Sequence, residues 1–465
     1  MFMGTLLTTV VAVALPTIGP ALRLSYSEAL WVQAVYVLAM SVFLIPVGRL
    51  ADAHGRLLFY LTGLSIFGVF SVACALAVNA PFLIVARCLQ GCGAAFTAST
   101  GVALVTAAFP PEERGKALGL NAMAGYVGLM AGPPVGGLIV SHTSWRWIFL
   151  INVPIVVITG VNGLFLLGAE RRDRAAARDA GSIAGATSSL DWPGTALLAL
   201  LLSALLVPLI FVPFWGWRSP MTLGLLAGFV VLLVVFYVVE TRVPNPVLDL
   251  DLVRKNRVFA ANTSAAFLNY AAIYAITTLN AVFLEIAQGY SPQKTGLVML
   301  VQPAFMTALS PVFGRLSDRI GSRVPATCGM LLAGAGALQL GLLPEVVPIW
   351  RILIALGVVG IGMAMFSAPN MSAVMGSVPR NQLSLASGFL GTMRTAGQGV
   401  SVGLLGAIAA SGLGPTGGRV LFLGEEASAA AASSFANGFE TAMLVATGLA
   451  IAGALVSLVR NPGRR

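Results

Sequence analysis

Apolar segments of about twenty residues recur from one end of this 465-residue sequence to the other. A helix of that length rises about 1.5 Å per residue and crosses the roughly 30 Å of hydrocarbon in a bilayer. The strands of a membrane barrel would instead give segments of about ten residues with alternating polarity. Only 9% of the residues are charged, against about 25% in soluble domains. The chain is therefore expected to be an all-α membrane protein.

Fourteen membrane spans are predicted, with the N and C termini in the cytoplasm. If the turn after the second span is cytoplasmic, that face carries nineteen of the 27 Lys and Arg residues, as the positive-inside rule requires. The excess of basic residues in cytoplasmic loops thus accounts for the net charge of +10. Because these residues are scattered over the loops, they do not form the continuous basic face of a nucleic-acid-binding protein. The predicted spans are residues 1–22, 28–48, 57–78, 81–107, 117–140, 147–168, 194–212, 220–239, 258–284, 292–313, 326–343, 349–369, 384–410 and 438–459.

A repeated motif divides the chain into two halves. Gly48–Arg56 reads GRLADAHGR after the second span, and Gly314–Arg323 reads GRLSDRIGSR after the tenth. The copies are eight spans apart, which indicates two helices inserted between two six-helix bundles, with a central cavity between the bundles. The predicted units are residues 1–168 for the first six-helix bundle, 169–257 for a cytoplasmic linker, two inserted helices at about 194–212 and 220–239 and the loop that follows them, and 258–465 for the second six-helix bundle.

Each copy of the repeated motif is predicted to latch helices together. Its glycines permit a tight turn and close helix approach, and its aspartate lies among arginines. One copy alone would favour a plain charged turn, but a second copy at the equivalent place favours a conformational latch. The predicted latch residues are Gly48, Arg49, Asp52, Arg56, Gly314, Asp318, Arg319 and Arg323.

The repeated motif and two further segments resemble the major facilitator superfamily. Arg87–Gly93 reads RCLQGCG in the fourth span, and Gly125–Gly137 reads GYVGLMAGPPVGG in the fifth, similar to that family's antiporter motif. Glycines at every fourth position share one helix face and allow close packing, while prolines remove backbone donors and bend a helix. Small residues at this spacing also occur in other membrane proteins. The motif residues are Gly125, Gly128, Gly132, Pro133 and Gly136.

Other segments resemble the fourteen-helix drug:proton antiporters of the EmrB/QacA family. This resemblance implies a major facilitator fold arranged 6 + 2 + 6, whose two bundles rock about the cavity and export amphiphilic compounds in exchange for protons. It also implies that Asp52, Arg56, Asp318 and Arg319 stabilise one conformer. The segments that carry the resemblance are Trp145–Pro154, Leu190–Gly194, Glu240–Leu252 and Ala386–Ile408.

The first span departs from this family where a proton-coupling residue is expected. The family usually reads close to LDTTIVNVALP, whereas Leu6–Pro16 reads LLTTVVAVALP, so Leu7 replaces an acidic residue and Ala12 an amide. A coupling group must titrate and be reachable from both sides of the membrane. Glu285 and Glu440 lie near the outer ends of their predicted spans and are interpreted as solvated rim charges. An uncoupled homologue, or an exporter of lipids or other metabolites, therefore stays open as an alternative.

Two arginines, Arg87 and Arg394, lie inside predicted spans, where a cation costs about 2.5 to 3.5 kcal/mol. They are either structural pins bonded to helix carbonyls or ligands for a substrate or coupling anion. Polar residues of other spans are candidates for the cavity wall, although each alone also suits a hydrogen bond between helices. These cavity or coupling candidates are Tyr36, Gln90, Asn121, Tyr126, Asn269, Tyr270, Asn280, Glu285, Gln302 and Asn370.

The leading hypothesis is a multidrug-type efflux transporter in a prokaryotic cytoplasmic (inner) membrane, a monomer that exchanges small molecules for protons. Leu7 and the two arginines favour neutral, zwitterionic or anionic substrates over polycationic dyes. A membrane enzyme is disfavoured because His54 and His142 lie at opposite faces and no catalytic set converges. The cysteines lack ligand spacing, so neither metal nor cofactor is expected. A transport-inactive sensor is a further alternative, and a channel is disfavoured because the halves are asymmetric.

Overall fold

All regular structure in the described chain is helical. A computed structural model describes residues 1–24, 26–179, 191–243, 250–344, 347–410 and 429–458. Two parts of the predicted linker, 180–190 and 244–249, lie outside these ranges, as does residue 459 of the predicted last span. The helices are α1 (Phe2–Leu22), α2 (Tyr26–His54), α3 (Arg56–Ala75), α4 (Ala80–Ala108), α5 (Arg114–His142), α6 (Trp147–Leu150), α7 (Asn152–Asp179), α8 (Trp192–Trp215), α9 (Pro220–Glu240), α10 (Leu250–Lys255), α11 (Arg257–Val282), α12 (Pro292–Met299), α13 (Val301–Ile320), α14 (Arg323–Gly341), α15 (Ile349–Gly376), α16 (Leu383–Ala410) and α17 (Ala429–Ser457).

The lengths and apolar character of these helices suit a membrane. Among the described residues, eleven helical stretches are long and apolar enough to cross a bilayer. Two shorter apolar stretches, Phe2–Leu15 and Pro193–Leu209, belong to α1 and α8. The 28-residue helix α16 carries Arg394 and several Ser and Thr residues, which lower its apolar character. The larger count of fourteen spans stays a prediction.

Polar caps set where several helices begin. The side chains of Asn79, Asp191 and Asn256 each accept a hydrogen bond from the backbone N–H three residues later, at 3.0, 2.9 and 3.0 Å. Such caps satisfy amides that the first helical turn leaves unpaired, and proline in the first turn of α4, α8 and α9 suits the same position. The inserted helices α8 and α9 therefore begin within two residues of the predicted starts at 194 and 220.

The structure corrects the prediction that the repeated motif is a loop. Helix α2 continues as far as His54, and the chain turns only at Gly55, whose φ of 127° suits glycine. In the second copy, α13 continues to Ile320 and the turn falls at Gly321, with a φ of 84°. Gly48 consequently lies inside a helix and has no role in the turn.

The predicted span 292–313 has one irregular residue but, apart from Pro292, stays within a single helical stretch, Gln293–Ile320, that is long and apolar enough to cross a bilayer. Helix α12 ends at Met299, and α13 begins at Val301 after a break at Leu300. Pro303 explains the break, since its nitrogen has no hydrogen to donate to the carbonyl of Met299 and its ring crowds that carbonyl.

Helices of each half pack mainly among themselves and then meet along a shared seam. In the first half α1 packs on α5, and α4 packs on both α2 and α3; in the second, α14 packs on α15 and α17, and α11 on α16. The main contacts across the seam join α5 to α13 and α2 to α16. A buried apolar cluster extends across it, with Ile45 of α2, Leu118 of α5 and Phe389 of α16 among its members.

The inserted helix α8 contacts both halves. On the α16 side, a Cβ placed on Gly399 would approach Leu206 of α8 to 2.8 Å. On the α2 side, the ring of Phe211 lies 5.1 Å from that of Trp31. Helix α8 therefore covers one side of the α2–α16 seam.

Candidate functional site

The first latch joins the end of α2 to the beginning of α16. The Asp52 carboxylate accepts backbone N–H bonds from Ser384 at 3.1 Å and from Leu385 at 2.9 Å. Amides in the first turn of a helix have no partner within it, and the positive end of the helix dipole favours a carboxylate there. Arg56 donates from Nε to the same carboxylate at 2.8 Å and from Nη2 to the carbonyl oxygen of Arg380. Asp52 thus bonds the two halves together, and Arg56 holds it in place.

The second latch joins the end of α13 to the beginning of α5 in the same way. The Asp318 carboxylate accepts N–H bonds from Gly115 at 2.7 Å and from Lys116 at 2.9 Å. Arg319 and Arg323 are exposed, and within the described residues neither forms an ion pair with Asp318. The second carboxylate is therefore held by helix amides without the arginine that accompanies Asp52.

Glycines bring the paired helices into backbone contact at both latches. A Cβ on Gly48 would collide with the carbonyl oxygen of Ser384, and a Cβ on Gly314 would collide with that of Gly115. Only a residue without a side chain allows two helices to approach so closely. The glycines of the repeated motif thus permit the close approach of the paired helices, and the aspartates form the hydrogen bonds between them.

Both latches lie at the same end of the helices. Arg380 accepts the hydrogen bond from Arg56 of the first latch and interacts electrostatically with Arg114, the residue before Gly115 of the second. We call the end of the helices where both latches lie the latch end. Arg49, also predicted there, is half-buried on α2.

Replacing Asp52 with asparagine is expected to weaken the latch by about 1 kcal/mol, because an amide brings no charge to the helix terminus and one acceptor oxygen instead of two. The measurement is the maleimide labelling rate of a cysteine placed at buried Ser387 of α16, with the four native cysteines replaced. We expect about a fivefold rise in labelling, since 1.4 kcal/mol corresponds to tenfold. Asp191→Asn is the matched control, because Asp191 caps α8 by the same chemistry outside the latch. Equal labelling of Asp52→Asn and its parent would contradict the expectation.

The antiporter-like motif packs its glycine face against α1. A Cβ on Gly128 would lie 2.5 Å from the carbonyl oxygen of Phe2, and the Thr5 hydroxyl donates to the carbonyl oxygen of Gly125 at 2.8 Å. The Pro133–Pro134 pair is exposed, and α5 continues as one helix through both prolines. The motif thus fastens α1 to α5 within the first half. Its four buried glycines are Gly125, Gly128, Gly132 and Gly136.

Arg87 lies inside the first half and is only 1% exposed. It donates from Nε to the Val32 carbonyl oxygen at 3.0 Å and from Nη1 to the Gln90 side-chain oxygen at 2.7 Å. Gln90 donates in turn to the Ser71 hydroxyl at 2.7 Å, and the Arg87 guanidinium lies 4.2 Å from the centre of the Tyr36 ring. No carboxylate of the described chain is among its electrostatic neighbours. Of the two roles left open by the sequence, this network favours a pin that joins α2, α3 and α4.

The position of Leu7, where the resemblance implied an acidic residue, is apolar in this structure. Leu7 is 0% exposed and belongs to a buried apolar cluster that also contains Tyr36. Glu285 is exposed in the π-helical segment Phe283–Ala287 that continues α11, and Glu440 is exposed and level with Gly341, the last residue of α14. These two carboxylates have the exposure expected of rim charges.

Arg394 differs from Arg87 because its hydrogen-bond donors are unsatisfied. Its Nε and Nη2 atoms are buried and have no hydrogen-bond partner among the described residues, and its Cζ atom lies 5.5 Å from the centre of the Tyr270 ring. Tyr126 of α5 is an electrostatic neighbour of Arg394 and Tyr270 and lies beside Ser367 of α15. These four residues, which we call the central cluster, come from α5, α11, α15 and α16.

The central cluster lies about halfway along its helices. Arg394, Tyr126 and Tyr270 follow the first residues of α16, α5 and α11 by 11, 12 and 13 positions, or roughly 17, 18 and 20 Å at 1.5 Å per residue. These distances from the helix starts are comparable with half of the roughly 30 Å thickness of the hydrocarbon layer. Residues of both halves therefore meet near the midplane, where two-bundle transporters bind their substrates.

Three predicted asparagines have buried side-chain atoms without hydrogen-bond partners among the described residues. Both side-chain polar atoms of Asn269 on α11 and of Asn370 on α15 are unsatisfied, as is Nδ2 of Asn121 on α5. Buried amides normally find partners. Asn370 lies one helical turn from Ser367 and so extends the polar surface of α15 beyond the central cluster.

Asn280 and Gln302 lie further towards the end opposite the latches. Asn280 donates to the Met299 sulfur at 3.6 Å, and Gln302 accepts from the Thr277 hydroxyl at 3.4 Å. Both side chains are buried and join α11 to the α12–α13 segment. These contacts suit the alternative role considered for each, a hydrogen bond between helices.

The partners of the latch carboxylates could not be predicted from the sequence. They are main-chain amides at the beginnings of α5 and α16, and an amide has no side-chain signature. A usable signal was present in Gly115 and Gly119, whose four-residue spacing is typical of close helix contact. A Cβ on Gly119 would come within 2.6 Å of the Ser310 carbonyl oxygen of α13.

Comparisons with known proteins agree with this arrangement. The Major Facilitator Superfamily matches residues 1–239, 192–402 and 263–465, which together cover the chain. Multidrug resistance protein Stp of Mycobacterium tuberculosis is 34% identical over 421 residues, 90% of this chain and 75% of that protein. Riboflavin transporter RibZ of Clostridioides difficile is 30% identical over 393 residues, 84% of this chain and 82% of that protein. Further relatives at 29% to 31% identity are named as resistance proteins.

A solved structure shares the fold. The crystal structure of the human organic anion transporter MFSD10 (TETRAN) matches with a TM-score of 0.61 and 14% identity over 97% of both chains. At that identity the likeness shows the fold alone. Since the family matches along the whole sequence and the relatives cover most of it, this chain belongs to the major facilitator superfamily.

Proposed function

We propose that this protein exports lipophilic or amphiphilic small molecules by alternating access. In this proposal residues 1–168 and 258–465 are two six-helix bundles, and 169–257 joins them through the inserted helices. The chain then crosses a prokaryotic cytoplasmic membrane fourteen times as a monomer, with both termini and the latch end in the cytoplasm. The central cluster forms part of the substrate cavity, and the latches are closed in the conformer described here.

The pair of latches is the observation that carries this proposal. Asp52 belongs to the first half and bonds α16 of the second, whereas Asp318 belongs to the second half and bonds α5 of the first. The halves can separate at this end only when both sets of hydrogen bonds break. Such a reversible contact suits two bundles that rock about a seam. The names of the relatives, which include multidrug and antibiotic resistance proteins, favour efflux over uptake.

Proton exchange is the coupling that we propose from the resemblance to the drug:proton antiporters. A homologous transporter that is not coupled to the proton gradient is a second candidate. Buried Leu7 favours this candidate because an apolar side chain cannot carry a proton. In either case Arg394 near the midplane, together with the apolar side chain of Leu7, favours neutral, zwitterionic or anionic substrates over polycationic dyes.

Transport by the purified chain in liposomes tests both candidates. Liposomes that contain the protein are loaded with neutral, anionic or cationic amphiphiles, and transport of each compound is measured with and without an imposed pH gradient. We expect movement of several compounds, accelerated by the gradient that drives protons inwards. Movement at the same rate without a gradient would favour the second candidate. If no compound moved under any gradient, the proposed function would be wrong.

Leu7→Asp is expected to increase pH-gradient-driven transport of cationic substrates by about threefold or more, because a carboxylate can bind a proton or attract a cation. Leu7→Asn is the control of equal size and carries no charge. The readout is the initial transport rate in the same liposomes. An unchanged cation rate, or the same change in both variants, would contradict our account of this position.

A further inference from the structure

We infer that Arg394 binds an acidic group of the transported compound, and that flat aromatic anions are preferred substrates. This inference rests on the proposed export function and names the substrate class of the same cavity. It is carried by the juxtaposition of an unsatisfied guanidinium with Tyr126, Tyr270 and Ser367 at the meeting of the two halves.

The two intramembrane arginines provide an internal comparison. Both lie where an uncompensated cation is costly, but only Arg87 has its charge distributed over hydrogen-bond acceptors of its own bundle. Among the described carboxylates, Asp52 and Asp318 are bonded to helix amides at the latch end, and Glu285 is exposed at the other end. Among the described residues no carboxylate forms an ion pair with Arg394, and a bound anion would complete its site.

The unsatisfied atoms of Arg394 have the geometry of a carboxylate site. Nε and Nη2 lie along one edge of the planar guanidinium, and these are the two atoms without partners. An edge of this kind donates two parallel N–H bonds to the two oxygens of a carboxylate, and such charge-assisted bonds are about twice as strong as neutral ones. A phenolate or enolate oxygen can accept the same pair.

The surroundings of Arg394 indicate the rest of the ligand. Tyr270 and Tyr126 both pack against the buried apolar cluster of the second half. Tyr274, which is 42% exposed, and Thr277 follow Tyr270 at successive turns of α11. An acidic group at the guanidinium would therefore be attached to a body that lies against aromatic rings, and flat aromatic compounds stack well on such surfaces.

The cluster also connects ligand binding to the two halves. Tyr126 belongs to α5 of the first half, whereas Arg394, Tyr270 and Ser367 belong to the second. A ligand that touches both sides binds with an affinity that depends on how the halves are placed. Differential affinity of this kind is what shifts a conformational equilibrium.

Binding of 2-naphthoate and its neutral isostere 2-naphthamide to the purified full chain in nanodiscs tests the inference. We expect wild type to bind naphthoate at least about tenfold more tightly than naphthamide, because a bidentate ionic pair replaces a neutral contact. Arg394→Gln should lower naphthoate affinity by about tenfold or more and change naphthamide affinity by less than about twofold. Arg394→Lys should lie between, since it keeps the charge but loses the planar pair of donors. Arg315→Gln, an exposed position on α13, is the control.

The outcomes of this binding experiment distinguish a failure of the inference about Arg394 from a failure of the proposed export function. Equal wild-type affinity for the two compounds would overturn the inference, whether or not Arg394→Gln folds. If Arg394→Gln unfolded, Tyr126→Phe would provide the second variant, with an expected threefold or greater loss for naphthoate. Export of neutral amphiphiles without any preference for naphthoate would remove the inference and leave the proposed function intact. Failure to export any compound would instead refute the function.

Discussion

Replacing Gly314 with alanine is expected to lower export by about fivefold to 150-fold. The new Cβ would collide with the Gly115 carbonyl oxygen and lie 2.9 Å from its carbonyl carbon. Backbone atoms cannot rotate away as a side chain does, so the α5–α13 contact must widen or break. Overpacking costs about 1 to 3 kcal/mol, which corresponds to the stated range of population shift. Export from proteoliposomes and labelling of a cysteine at Ser387 measure the two consequences, and labelling should rise as export falls.

Gly137→Ala on α5 is the matched control. A Cβ at that position meets no atom within 4 Å, and alanine favours a helix over glycine by about 0.5 to 1 kcal/mol. Export should therefore be unchanged and stability unchanged or higher. Gly48→Ala should reproduce the defect at the other latch, because its Cβ would meet the Ser384 carbonyl. Normal export by Gly314→Ala would show that the close approach is dispensable.

Replacing Arg87 with leucine is expected to lower the stability of the first half by about 2 to 4 kcal/mol. The change leaves the Gln90 oxygen with only the weak Cys74 thiol donor, at 3.8 Å, and removes the cation above the Tyr36 ring. An unsatisfied buried acceptor costs about 1 to 3 kcal/mol, and the lost packing adds to it. The loss of stability is measured by thermal unfolding in detergent. Unfolding is detected by the reaction of a fluorogenic maleimide with Cys74, which is buried in the folded protein.

The double variant Arg87→Leu, Gln90→Leu is the informative control. Replacing both partners by apolar groups removes the unsatisfied oxygen, so it should recover part of the stability lost in Arg87→Leu. Substrate affinity of the folded fraction should stay within about twofold of wild type. A variant that kept its melting temperature but lost substrate affinity would show that Arg87 is a ligand.

Much of the fold could be predicted because its signals are local. Apolar length marks the spanning helices, and the caps at Asp191 and Ser219 set where the inserted pair begins. The repeated motif identified Asp52 and Asp318 as equivalent residues. The same local rules mistook the motif for a loop, because charged residues and glycines are typical of turns. In the structure they occupy the last turns of α2 and α13, where the charged side chains cap helices of the other half.

The roles of the two arginines could not be predicted, because both lie in apolar segments without a nearby carboxylate. What separates them is the set of acceptors within reach. Val32 is 55 positions from Arg87 along the chain, and only the packing of α2 on α4 brings its carbonyl oxygen to 3.0 Å. Arg394 has no such acceptor among the described residues and lies at the seam between the halves.

From the sequence alone it follows that the apolar segments of this chain form helices suited to a membrane, that one motif occurs twice, and which carboxylates are equivalent in its two copies. Hydrophobic length and motif spacing suffice for these conclusions because each is a property of a short segment. The groups that those carboxylates bond, the arginine that is satisfied and the residues that meet near the midplane became known only from the packing of the helices. The partners are main-chain amides and carbonyls of distant helices, and every residue carries such groups, so their selection depends entirely on how the helices pack.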